Sequence, residues 1–279
     1  MRTLVHLSDL HFGRVDPALL DPLRAQVERL APSVVVVSGD LTQRAKSEEF
    51  EQARTYLDTL PGPQIVVPGN HDISLYNVFR RFLAPLDRYK RYITDDLTPS
   101  YVDDEIAVLG VNTARSLTFK DGRVNREQID KIRATLDALD PKLTKVVVTH
   151  HPFDLPEGGD EDDVLGRAQI AMEAFAECGV DLLMAGHLHQ SHAGNTQARY
   201  KIAGFAALVV QAGTATSTRE RGEVNSFNAI RIAPDRIGVE RWGWDAVHGQ
   251  FQLIGTEKFI RGGNVWTEHN DGLMAAGSL

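Results

Sequence analysis

The chain has 279 residues, 42% hydrophobic and 24% charged, which suits a soluble globular protein with a sizeable core and leaves one large domain or two small ones open. A formal net charge of −8 with no run of Lys or Arg argues against a surface for polyanions, so a nucleic acid polymer is not an expected partner. A single cysteine, Cys178, leaves no internal disulfide to form, no apolar stretch reaches the ~18 residues of a membrane span, and "MRTLVHLSDL" turns polar too soon for a signal peptide, so the expected location is cytoplasmic.

The first predicted strand is "TLVHL" (3–7), and Asp9 and His11 follow it. Residues two apart on extended chain point to one side, so this carboxylate and imidazole project together. Leu20, Leu23, Val27 and Leu30 recur at helical spacing before a second strand, "VVVVS" (34–38), which runs into Asp40. Phe50, Ala53, Leu57 and Leu60 mark a second helix. "IVV" (65–67) leads into Asn70 and His71, with Asp72 expected to cap the helix that follows. "IAVLGV" (106–111) runs into Asn112. Ile129, Ile132, Leu136 and Leu139 form the next helical set, with Asn125 placed to cap it and Gln128 three residues on. "VVVT" (146–149) reaches His150 and His151, and "LPEGGDEDD" (155–163) reads as a solvated acidic loop. A helix through Ile170, Ala174, Phe175 and Cys178 stops at Gly179, and "LLMA" (182–185) runs into His187 and His189.

These strands are continuous apolar runs, as burial on both faces requires, and their alternation with helices implies an α/β fold with a largely parallel sheet. After about residue 198 helical spacing disappears, and "NAIRIA", "RIGVERWGW" and "QFQLIG" predict a second, mostly antiparallel sheet packed on the first. The expected domain runs over 1–263, with 264–279 a loosely ordered tail. Cys178, Trp242 and Trp244 read as packing residues, and His6, His248 and His269 as histidines without a site role.

Each strand thus ends in a polar cluster, and carboxyl ends of parallel strands are where open α/β sheets place ligand sites. Singly the pieces are weak, since a lone His is more often a satisfied core or surface residue. The ordered set "DLH…GD…GNHD…HH…GHLH", every member at a strand end, reads as a metal site. It offers no thiolate, and its N/O donors suit Mn, Fe, Zn or Co.

That set resembles the calcineurin-like metallophosphoesterases, and is most similar to their branch of class III cyclic-nucleotide phosphodiesterases and glycerophosphodiesterases. By motif the resemblance spans Leu4 to His189. It implies a four-layer α-β-β-α sandwich, two mixed β-sheets flanked by helices, holding a binuclear metal centre. Asp9, His11 and His189 would bind one ion, Asn70, His150 and His187 the other, and Asp40 would bridge them. A metal-bridging hydroxide would then attack a small phosphodiester, with a 3′,5′-cyclic nucleotide the leading candidate and His71 serving the leaving oxygen. Arg14, Gln43, Arg44, Asn112 and Arg115 follow the motifs closely enough to contact substrate, and His151 and His192 adjoin ligands. Many relatives carry an acid where this chain has Gln43. A glutamine can orient His71 but cannot stabilise its charged form, which would favour diesters with good leaving groups.

Several readings stay open. A phosphomonoesterase, a nucleotide-lipid pyrophosphatase and an exonuclease share the family, although an exonuclease would want a basic groove and a lipid pyrophosphatase an apolar helical lid. A non-catalytic scaffold of the same fold is the reading from another class. Relatives often pair through their later strands, so a homodimer is an expectation of the resemblance alone.

Overall fold

The computed structural model describes residues 1–74, 78–116, 120–218 and 222–269. In the first of its two mixed sheets, β1 (Arg2–Leu7), β2 (Val34–Val37) and β3 (Gln64–Val66) run parallel. On the free side of β1 the sheet continues antiparallel through β10 (Ser226–Ala233), β11 (Arg236–Asp245), β12 (Gln250–Gly262) and β13 (Val265–Glu268). In the second, β5 (Ile106–Gly110), β6 (Thr144–Val148), β7 (Leu182–Ala185) and β9 (Leu208–Gln211) are parallel. Their antiparallel edges are β4 (Ser100–Val102) and β8 (His192–Asn195).

The sheets pack face to face. Leu4, Val34, Val36, Ile65, Val146, Val148, Leu182, Met184, Ile230 and Ile232 fill the space between them. Their neighbours Val5, Leu7, Val35 and Val37 turn outward against α1 (Pro17–Leu30) and α2 (Ser47–Leu57). Val147, Leu183 and Val209 do the same on the far side, under α5 (Arg126–Asp137) and α6 (Ala168–Cys178). This is why "VVVV" is unbroken: alternate valines of β2 serve two different cores, and all four are fully buried. The expected sandwich of four layers is what forms.

Two expectations change. The strands after residue 198 do not make a sheet of their own: β10 to β13 extend the first, while β8 and β9 join the second. A continuous apolar run fits the centre of either sheet, so periodicity cannot assign membership. The tail expected from 264 is ordered at its start, because Val265–Glu268 pairs with β12 and Trp266 is buried beneath it. Residues 270–279 of that tail lie outside the described residues. Helix ends behave as anticipated at α5, where Asn125 Oδ1 accepts from Gln128 N at 2.7 Å and Gln128 Oε1 accepts from Asn125 N at 3.1 Å.

Candidate metal centre

The six polar clusters sit at the carboxyl ends of β1, β2 and β3 in one sheet and of β5, β6 and β7 in the other. The crevice is therefore a seam between two sheets rather than the edge of one. Main-chain bonds lace its near side, with Asp9 N donating to Gly39 O at 3.2 Å and His11 N to Asp40 O at 2.9 Å. Of the eight non-glycine residues with positive φ among the described residues, five are Asp9, His11, Asp40, His187 and His189. Such backbone costs ~1–3 kcal/mol per residue and concentrates at functional sites. The chain bends sharply here to aim side chains inward.

Donor atoms of Asp9, His11 and His189 lie within 4.8 Å of one another, as do those of Asp9, Asp40 and His150, and those of His150, His151 and His187. Asp9 Oδ1 is 3.5 Å from His11 Nε2 and 3.7 Å from His189 Nε2. Asp40 faces both sides, its Oδ2 3.7 Å from His11 Nε2 and its Oδ1 3.4 Å from His150 Nε2. Asn70 Oδ1 approaches the same His150 nitrogen at 3.1 Å. Two donors each ~2.1 Å from a tetrahedrally bound ion lie ~3.4 Å apart, so these spacings fit shared cations. Asp9 Oδ1 and His11 Nε2 are buried with no hydrogen-bond partner, which is costly unless something charged takes them.

The outer faces of the rings are held. His150 Nδ1 donates to Ser38 O at 2.7 Å, His11 Nδ1 to Thr42 O at 3.4 Å, and His189 Nδ1 meets the Thr214 hydroxyl at 2.6 Å. These contacts fix ring orientation and present Nε2 of His150 and His11 to the seam. Burial alone would raise both Asp9 and Asp40, yet His189 beside the first and His150 beside the second hold each carboxyl below its usual range. The reciprocal effect shows on His150, where burial is outweighed by Asp40 and the pKa rises to about 9. His187, buried and next to His150, is lowered to about 4. Asp9, His11, Asp40, Asn70, His150, His187 and His189 are all brought together.

The remaining expected residues divide. His71 joins the seam, its ring edge-on to His11 at 5.0 Å between centroids, with its main-chain N donating to Asp40 Oδ1 at 2.9 Å. Its Nδ1 donates to the main-chain carbonyl of Gln43 at 2.9 Å, while the Gln43 amide stands at 3.5 Å. Position 43 thus orients the histidine chiefly through its backbone, contrary to the side-chain role expected of it. Asp72 does not cap the α-helix that follows, which begins at Val78; it ends the short 3-10 turn Asn70–Asp72 and reaches back to Gly69, the residue before that turn. Buried, it accepts from Leu41 N, Thr42 N, Thr42 Oγ1 and Gly69 N at 2.9–3.2 Å, clamping the loop after β2 to the loop after β3. Burial and the charge of Asp40 raise it to about 6 despite those donors.

Arg115 is not poised for substrate: Nε donates to Arg123 O at 2.8 Å and a terminal nitrogen to Gln128 Oε1. His151 is also occupied, accepting from Thr113 Oγ1 and donating to Lys120 O, each at 2.8 Å. Its proximity to His150 and His187 reflects support, since both ring nitrogens are already in use. Asn112 bends the chain, its Oδ1 accepting from Ala114 N at 2.9 Å, and with Arg115 it lines a cavity of about 440 Å³ beside Ile73 and Leu86. Arg14 and Arg44 are exposed in the loops after β1 and β2. His192, on β8, joins none of the three donor clusters. Gly39 and Gly69 make room for candidate ligands: a Cβ on Gly69 would sit 2.1 Å from Asp40 Oδ1, and one on Gly39 2.5 Å from His150 Nδ1.

A family model described as calcineurin-like phosphoesterase matches residues 2–191. The chain belongs to that family. Glycerophosphodiester phosphodiesterase GpdQ of Enterobacter lignolyticus (strain SCF1) is 27% identical over 230 residues, 74% of this chain and 76% of its own. The 3′,5′-cyclic adenosine monophosphate phosphodiesterase CpdA of Haemophilus influenzae is 23% identical over 160 residues, 56% of this chain and 54% of its own. A dimetal phosphatase from Danio rerio shares the fold at a TM-score of 0.65 and 14% identity, covering 87% of this chain and 96% of its own. Purple acid phosphatase PPD1 from yellow lupin does so at 0.69 and 13%, over 92% of this chain and 53% of its own. Among the described residues no helix is long and apolar enough to cross a membrane.

Proposed function

We propose that this phosphoesterase hydrolyses a small phosphodiester, with a 3′,5′-cyclic nucleotide as the leading candidate, using two metal ions. Asp9, His11 and His189 would hold one, Asn70, His150 and His187 the other, and Asp40 both. The observation that carries this reading is the split reach of Asp40, one oxygen toward His11 and the other toward His150. Two relatives named as phosphodiesterases support the diester part. When bound, such ions make water nucleophilic at neutral pH and neutralise charge on phosphoryl oxygens.

The chain's own residues supply the rest. His71, with Nδ1–H committed to the Gln43 carbonyl, serves the leaving oxygen through its other nitrogen, a role worth ~10²–10⁴ in rate. Asp72 holds the His71 and Asp40 loops at one spacing, and Ser38, Thr42 and Thr214 keep the imidazoles aimed. The test is chelation followed by separate return of Mn, Fe, Zn and Co, with elemental analysis and assays on a chromogenic bis-ester, its mono-ester and cyclic AMP. The reading expects about two ions per chain and diester hydrolysis that chelation abolishes. Hydrolysis indifferent to chelation would defeat it, and a chain holding no stoichiometric metal would favour the scaffold.

A further inference from the structure

The acidic loop after β6 does not stay in solvent along its whole length. Arg199 donates from Nε to Asp154 at 2.6 Å and through both terminal nitrogens to Glu161 at 2.6 and 2.9 Å. Held this way, the loop turns Asp163 toward the seam. Its side chain is 19% exposed, and Oδ1 stands 3.9 Å from Nε2 of His187 and 3.0 Å from Nζ of Lys120. The first separation is too long for a hydrogen bond, so Asp163 acts there by charge. Asp163 belongs to none of the three donor clusters. Main-chain bonds tie the two segments together, Gly166 N donating to Gly122 O at 2.9 Å and Val124 N to Gly166 O at 3.3 Å. Lys120 also offers its carbonyl to His151, which packs on His187 with ring centroids 4.6 Å apart.

We infer that Asp163 and Lys120 set which charge state of phosphate ester this site accepts, favouring a monoanionic diester over a dianionic monoester. The inference rests on the phosphodiesterase reading. A diester carries one negative charge, whereas a monoester above neutral pH carries close to two. Cations attract the dianion more strongly, so metal ligands alone do not select the diester. A fixed carboxylate beside His187 opposes that bias, because its repulsion grows with each charge on the substrate. Lys120 lies on the solvent side of the same carboxylate and offsets part of its field, less than fully because it is exposed and screened. The two side chains therefore push selectivity in opposite directions.

That opposition supplies the test. The metal-loaded full chain, Asp163→Asn and Lys120→Met are assayed above neutral pH on bis(p-nitrophenyl) phosphate and p-nitrophenyl phosphate. Binding of inorganic phosphate and of dimethyl phosphate is measured by calorimetry, and metal content by elemental analysis. Asp163→Asn should raise the monoester-to-diester ratio of kcat/KM about five-fold or more and tighten inorganic phosphate relative to dimethyl phosphate. Lys120→Met should lower both ratios, and metal content should stay the same in all three. Damage to the loop would move both variants one way, and either that result or unchanged ratios in an enzyme active on the diester would overturn the inference alone. Loss of metal from Asp163→Asn would assign Asp163 to holding ions and overturn it as well. A wild type inactive on both esters would overturn the phosphodiesterase reading with it.

Discussion

The imidazole of His71 takes its orientation from a carbonyl that every residue possesses. Gln43→Ala should therefore retain diester turnover within about ten-fold of wild type, whereas His71→Ala should keep its metal and lose ~10²–10⁴ in kcat. A Gln43→Ala loss as deep as that of His71→Ala would return the orienting role to the side chain. His6 supplies a pH dependence. It is fully buried between the sheets, its Nε2 2.8 Å from Ser38 Oγ, and burial lowers its pKa from the ordinary 6.5 to about 3. The unfolded chain binds this proton more readily than the folded one. Its contribution is intact above the ordinary value and is lost at ~1.4 kcal/mol per pH unit as pH falls toward the folded one. Urea unfolding of wild type and His6→Gln at neutral pH and near pH 5 should show the smaller acid loss in the variant, by ~2 kcal/mol.

At the scale of elements, β13 shows how little sequence suffices to close a sheet. Trp266 is buried beneath its four residues, and its indole donates to Asp181 at 3.1 Å, which also meets Arg261 at 3.2 Å. Trp266→Ala should cost ~3–5 kcal/mol in urea unfolding, through the cavity and the carboxylate left short of a donor. A loss under ~1 kcal/mol would show that β13 contributes little. Nothing in "VWTE" announces this, because four residues are too few for a period and the contact that matters lies 85 positions away. By contrast β2 and α5 were legible, one as a bare valine run and the other as an amphipathic stripe with a reciprocal cap. The convergence of the candidate ligands was legible for a related reason: a His or Asp directly after a buried strand has few structural uses. Asp163 and Lys120 were not, since an acidic run and a lone lysine look solvated until the fold brings Arg199 and His187 to them.

For the molecule as a whole, the decisive feature is that the donors come from opposite sheets. Asp9 and His11 meet His189, and Asp9 and Asp40 meet His150, across the seam. Ions bound there would add links between the sheets at their open end, so metal should raise the unfolding free energy by ~2.7 kcal/mol at a hundred times the dissociation constant, read as a higher midpoint. Asp40→Asn should remove that increment together with activity, and a midpoint unmoved by metal would mean that the sheets hold their spacing without it. At the opposite end, Arg2 pairs with Asp103 at 2.6 Å, linking β1 to the turn between β4 and β5 without any metal. The metal end has chain-borne links too, His150 Nδ1 to Ser38 O at 2.7 Å and His187 N to Asp9 Oδ2 at 3.1 Å, so bound ions would reinforce it rather than supply its only fastening. Scarcity of the right element would then cost the protein its turnover and leave it more open to proteases, so its lifetime as well as its activity would follow mineral supply.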